Sequence, residues 1–317
     1  MTSNAPAALA NSRPAHPADP GASAAAAPAL PYHLQMRRSP DSAKWWRPLA
    51  SLGIVLGFAT AAALVMLLVA VAWLLLNPWA GASENLEDPT NPWDMLLLLG
   101  PMALLLPMAV LGSRWGGAGR GRIHSVLGRV RWGMLLRAGA FVLPVYAVII
   151  VGGFLLSPPE DFARPEAGAR IAAVFAIAIL LTPLQCAAEE YLFRGLPLQA
   201  FGTWLRSPLW GVLLPIPLFM LGHGYHWAGQ IDIAVFALCM GALAWKSGGL
   251  ELPIVMHASN NLVLFMLAPF SPSSLHQGEV DPAGLLFSLP LTIGMTAVLW
   301  VWVSRREGVR LREPVRG

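Results

Sequence analysis

Eight stretches of this 317-residue chain stay apolar for about the length of a bilayer crossing, ~20 residues. They lie at about 49–76, 94–112, 134–156, 171–200, 209–228, 231–248, 250–269 and 284–303. No water is present in a bilayer core to satisfy backbone N–H and C=O groups, so each such run must close its hydrogen bonds within a helix. The fold class that follows is all-α, a polytopic membrane bundle of about eight transmembrane helices. Composition agrees: only 12% of the residues are charged, against ~25% in a typical soluble domain.

Charge sorts the loops. Arg37, Arg38, Lys44 and Arg47 precede the first run, and Arg114, Arg120, Arg122, Arg129 and Arg131 follow the second. Arg305, Arg306, Arg310, Arg312 and Arg316 follow the last. Alternate loops carry Glu84, Glu87 and Asp88, or Glu279 and Asp281, with only Arg164 and Arg170 on that side. Basic loops stay in the cytoplasm, so both termini are expected there, in the cytoplasmic membrane, with an even number of spans. Six spans would also fit if a short segment is re-entrant. The sequence pI near 9.5 is read in the same way, as a topology signal, and no nucleic-acid partner is expected.

Three parts are expected. Residues 1–43 are rich in Ala, Pro and Ser and read as a disordered cytoplasmic tail without a signal peptide. Residues 44–304 form the helical domain, and 305–317 a basic cytoplasmic tail. The stretch Gly116–Arg122 is Gly-rich but lacks the Lys-Ser/Thr ending of a phosphate loop. The whole 113–133 segment is read as a solvated basic loop. Trp45, Trp46, Trp79 and Trp93 suit interfacial belts. Cys186 and Cys239 lie inside apolar runs and imply no disulfide framework; inert buried thiols are expected.

The polar residues inside the runs are costly there and so point to function. The fourth run carries Glu189, Glu190 and, one turn on, Arg194. The fifth carries Phe219 and His223, and the seventh His257 and Asn261, each pair on one helical face. At a rise of ~1.5 Å per residue from the cytoplasmic helix ends, Glu189, His223, His257 and Asn261 lie ~12–22 Å deep, near the middle of the core. A carboxylate beside an imidazole can deprotonate water. Glu189, His223 and His257 are also candidate ligands for a divalent metal such as zinc. An imidazole and an amide one turn apart can donate to an oxyanion. Together these give water attack on a carbonyl. Structural readings stand beside this one: Glu190–Arg194 as a helix lock, and His223, His257, Asn260 or Asn261 as interhelical hydrogen-bonders. Tyr225 and His226 read as interfacial, and His124 and His276 as loop residues without partners.

The motifs Glu189-Glu190-Tyr191-Leu192-Phe193-Arg194, Phe219 to His223, and His257 to Asn261 resemble, in order and spacing, those of the CAAX prenyl protease and bacteriocin-processing (CPBP, or Abi) family. The segment Gly249–Ile254 resembles that family's approach to the last motif. The resemblance covers residues 170–270. It implies an intramembrane endopeptidase in which Glu189 activates water with help from His223. His257 and Asn261 stabilise the oxyanion, and Glu190 and Arg194 support. Both a metalloprotease and a metal-free glutamate mechanism are consistent with it. Asn261 leans toward the oxyanion role, because an amide is a poor zinc ligand. The implied partner is a peptide or protein substrate, membrane-associated or lipidated, in a lipid bilayer. Two rivals remain, a non-enzymatic membrane immunity or partner-binding scaffold and an ion-coupled transporter.

Overall fold

The computed structural model describes residues 29–76, 81–276, 278 and 281–317. The described residues form ten α-helices, in chain order α1 Arg47–Leu76, α2 Pro92–Gly116, α3 Trp132–Leu156, α4 Ala169–Glu190, α5 Leu196–Leu205, α6 Pro208–Leu213, α7 Pro215–Leu221, α8 Trp227–Ser247, α9 Glu251–Leu267 and α10 Leu285–Arg306. A π-helical turn, Tyr191–Gly195, joins α4 to α5, and a 3₁₀ helix, Tyr32–Arg38, precedes α1. The described residues form no β-strand beyond two isolated bridges.

Among the described residues, seven helical stretches are long and apolar enough to cross a membrane. They begin with α1, α2, α3, α4 (continuing through α5), α8, α9 and the turn into α10. The protein is an integral membrane protein. The fifth expected span, 209–228, is different. It is a pair of short helices, α6 and α7, covering only Pro208–Leu221. Pro215 and Pro217 explain the break, since neither has an N–H to continue a helical ladder. Ser207 caps the start of α6 by accepting from the Leu209 N–H.

Loop contacts define two ends of the bundle. At one end Ala163 N–H donates to the Phe270 carbonyl, His226 N–H to that of Gly278, and Arg170 pairs with Asp88. At the other, His33 bonds the Arg206 carbonyl, and Val315 N–H donates to that of Lys246. The chain therefore passes from Arg206 at one end to His226 at the other through α6, α7 and the extended link after them. Residue 30 and residue 317 meet at the same end, through Leu30 N–H to the Gly317 carbonyl at 3.0 Å.

Small residues set the close helix contacts. Gly112 and Gly116, one turn apart on α2, lie directly on Val55 and Ser51 of α1. Gly211 brings α6 onto α5, where a Cβ would stand 2.6 Å from the Leu198 Cα. α4 packs between α2 and α9, α3 lies on α9, and α10 on α8. The main core gathers Tyr146, Tyr191, Phe219, Phe236, Met240 and Met256 around the inner faces of these helices.

Three polar-looking segments are tied to the bundle. Residues 1–28 of the expected tail lie outside the described residues, as do Trp79 and Glu279, but 30–38 are packed on the bundle. Tyr32 is fully buried with its hydroxyl donating to the Ile123 carbonyl, and Arg37 donates to the carbonyls of Gly202 and Thr203. The 113–133 loop is not merely solvated. Ile123, Ser125 and Val126 are buried, and Val126 N–H donates to the Gly248 carbonyl. The C-terminal segment is anchored too, because the buried Lys246 ammonium donates to the carbonyls of Arg310, Leu311 and Glu313. In each case a few apolar or hydrogen-bonding side chains tie a polar-looking segment to the helix ends, and composition averaged over the segment hides them.

Candidate active site

The fourth apolar run folds as one helix until Tyr191, where the ladder slips to a π-turn: the Leu196 N–H donates to the Tyr191 carbonyl five residues back. Such slips occur often at functional sites because they re-aim side chains without ending a helix. Here the turn directs Arg194 inward, to 2% side-chain exposure. A single Glu190 oxygen, Oε1, accepts from Arg194 Nη1 at 3.1 Å and from His257 Nδ1 at 2.7 Å. The guanidinium carbon stands 4.2 Å from the Phe219 ring centre and 5.8 Å from that of Phe236. Arg194 is thus matched by a carboxylate on one side and aromatic faces on the other, a combination that lowers the cost of burying a guanidinium.

His257 is the hinge of the site. Its Nδ1–H donates to Glu190, since an ionised carboxylate can only accept. That fixes the ring so that Nε2 faces Glu189 Oε2 at 3.6 Å. Phe236 packs edge-on against the same ring, with centroids 4.9 Å apart, and prevents it from swinging away. Glu189 is the more open carboxylate, its side chain 9% exposed against 0% for Glu190. Gln185 Nε2 donates to Glu189 Oε1 at 2.5 Å, while Oε2 is buried without a hydrogen-bond partner. Two lone pairs at this range call for a shared proton or a donor reaching both, such as a water. The geometry suits holding a water between carboxylate and imidazole.

Of the expected residues, Glu189, Glu190, Arg194 and His257 are in direct contact. His223 is not joined to them by a hydrogen bond. Its Nδ1–H donates to the Phe219 carbonyl at 2.8 Å, and its ring lies 4.7 Å from the Phe219 ring, which is in turn 6.4 Å from that of His257. Nε2 is left for another partner. Asn261 sits one turn beyond His257 on α9, half-buried, and accepts from Asn260 Nδ2 at 3.1 Å. Cys186 is fully buried, its thiol donating to the Gln185 amide oxygen at 3.2 Å. His124 does have a partner, the Tyr191 hydroxyl of the π-turn. Burial holds its imidazole below the ordinary histidine range. His276 lies 3.4 Å from Glu87.

Two contributors escaped the sequence reading. Gln185 sits one turn before Glu189, a spacing that pairs them on one face, and that was the available signal. Phe236 carried none, being one aromatic among many in an apolar run. Among the described residues, no group of three His, Cys, Asp or Glu side chains is arranged to hold a metal ion. Glu189 and His257 converge, but His223 is turned to the Phe219 carbonyl. As arranged, the donors do not fit a three-ligand zinc centre.

Below the site a second buried ion pair anchors α9. Arg131 meets Glu251 through N–H, Nε and Nη2 at 2.8, 3.0 and 2.6 Å, and its Nη1 donates to the Ser247 carbonyl. Glu251 stands in the first turn of α9, where a carboxylate also suits the helix dipole. Gly248 takes the left-handed conformation that closes α8. This clamp fixes the start of the helix that bears His257.

Fold and site together define an α-helical integral membrane protein with an acid–histidine centre buried inside its bundle. Residues 170–263 match the family model of type II CAAX prenyl endopeptidase Rce1-like proteins. The uncharacterized protein YyaK of Bacillus subtilis (strain 168) is 33% identical over 135 residues, covering 40% of this chain and 44% of the relative. The match thus spans less than half the length of that relative. No solved structure matches the chain.

Proposed function

We propose that the protein is a CAAX-type intramembrane endopeptidase that hydrolyses a peptide bond with a water activated by Glu189. The observation that carries this reading is the buried relay Glu189–His257–Glu190–Arg194, in which the less buried carboxylate, Glu189, turns an unpartnered oxygen toward an imidazole held by Glu190. The water oxygen attacks the scissile carbonyl carbon while its proton passes to Glu189. The carbonyl oxygen becomes an oxyanion, for which the donors are Asn261 and His257 in its doubly protonated form, with Nδ1–H on Glu190 and Nε2–H on the oxygen. When the tetrahedral intermediate collapses, the C–N bond breaks and the proton on Glu189 leaves with the amine. His223, with its Nε2 available near the Phe219 ring, orients the water or the substrate. No step is routed through a metal.

The basic end of the bundle is placed in the cytoplasm and the acidic end outside. The substrate is a peptide or protein reaching the site from the cytoplasmic side or within the bilayer. Substrate lipidation would add membrane affinity of ~0.8 kcal/mol per buried methylene.

The test compares new protein termini by mass spectrometry in cells making wild-type protein and cells making Glu189→Gln at matched abundance. Termini present only with the wild type are expected and would name the substrates. Identical termini under conditions where the protein is needed would overturn the proposal in favour of a scaffold.

A further inference from the structure

Gln185 is a neutral polar side chain in the apolar interior of α4, only 7% exposed. An amide at such a place carries a desolvation cost unless both its ends are satisfied. Here both are. Its Nε2 donates to Glu189 Oε1 at 2.5 Å, and its Oε1 accepts from the Cys186 thiol at 3.2 Å. These contacts fix which way round the amide lies, because only its nitrogen can donate to a carboxylate and only its oxygen can accept from a thiol.

The consequence falls on Glu189. One of its two oxygens is taken by Gln185, so the carboxylate cannot spin about its terminal torsion. The other, Oε2, is buried, has no hydrogen-bond partner and faces His257 Nε2. We infer that Gln185 is a positioning residue for Glu189, holding the carboxylate so that Oε2 alone serves as the base. The inference rests on the protease reading for its catalytic consequence, but the hydrogen bond it invokes can be observed without catalysis.

The experiment uses the full chain purified into lipid nanodiscs. Gln185→Met keeps the unbranched shape and removes the donor; Gln185→Asn keeps an amide but falls one methylene short. The infrared carboxylate band of Glu189 is assigned by subtracting the spectrum of Glu189→Gln. Both variants are expected to shift that band, as one oxygen loses its donor. With a substrate identified from the termini comparison, both should lower kcat about tenfold or more, as expected for loss of a hydrogen bond to a charged group. KM should stay within about twofold if the bond acts in the transition state only. A purely structural role would reduce the yield of active protein without moving the band. An unchanged band, or an unchanged kcat in a folded variant, would overturn the inference. Absence of cleavage by the wild type would instead sink the protease reading, with the band still deciding the role of Gln185. If Gln185→Met does not fold, Gln185→Asn supplies the same two readouts.

Discussion

Glu190 and His257, 67 residues apart in sequence, share a hydrogen bond of 2.7 Å at the centre of the bundle. The same Glu190 oxygen also receives Arg194. Glu190 is therefore enclosed with Oε1 doubly paired, while its less buried neighbour Glu189 turns an unpartnered Oε2 toward the same imidazole.

Losing the Glu189 carboxylate and losing the arginine beside Glu190 should have different consequences. Glu189→Gln is expected to lower cleavage by about 10²–10⁴-fold, the range for loss of a general base, while leaving the thermal midpoint nearly unchanged. Arg194→Met leaves the Glu190 charge buried without its partner and is expected to cost about 3–5 kcal/mol of stability. Abundance in membranes and thermal unfolding in detergent, measured beside cleavage, separate the two outcomes. Equal destabilisation by both would contradict the assignment.

The Arg131–Glu251 clamp should behave as a coupled pair. Glu251→Leu alone strands a guanidinium that is 10% exposed, and is expected to cost about 3 kcal/mol. Combining it with Arg131→Met should recover most of that loss, because breaking a buried pair costs more than replacing it. Thermal midpoints of the two single variants and the double variant check this.

His33, outside the membrane-spanning helices, gives the N-terminal segment a pH dependence. Burial, aided by Arg316, holds its imidazole down at about 4, with the Arg206 carbonyl opposing. It stays neutral on the folded protein, its Nε2–H donating to that carbonyl at 3.1 Å. Released, the imidazole titrates near its ordinary value of ~6.5. Between these two values the released state binds more protons. Anchoring of residues 30–38 should therefore be fully present above pH ~6.5 and be lost as pH falls toward about 4. Hydrogen exchange of this segment across pH 4–7 should show that loss, and His33→Phe should flatten it. Protection independent of pH in the wild type would refute it.

Gly211→Ala should push α6 off α5, since the added Cβ would meet the Leu198 backbone at 2.6 Å. Overpacking of this kind costs about 1–3 kcal/mol. Gly139→Ala in α3, where nothing lies within 4 Å of the added atom, is the matched comparison and should be neutral or slightly stabilising. Thermal unfolding of the pair tests whether the short helix is held by this contact.

The apolar runs by themselves determined an all-α membrane fold, because a backbone in hydrocarbon has few ways to satisfy its polar groups. The one run that misled was 209–228, where Pro215 and Pro217 split the segment into α6 and α7. Spacing along single helices also placed Glu190 with Arg194, and His257 with Asn261, because i and i+4 share a face. The tertiary structure alone decided that both glutamates face His257, Glu190 at its Nδ1 and Glu189 toward its Nε2. Adjacent residues point about 100° apart on a helix, so this depends on how α4 rotates against α9 and on the π-turn at Tyr191. It likewise decided that His257 contacts the carboxylates directly while His223 bonds the Phe219 carbonyl, and that Tyr32, Ile123 and Lys246 tie polar-looking segments to the bundle. Except for the local His223–Phe219 bond, those facts rest on contacts between residues about 64 to 91 positions apart, and helical periodicity carries no information about them.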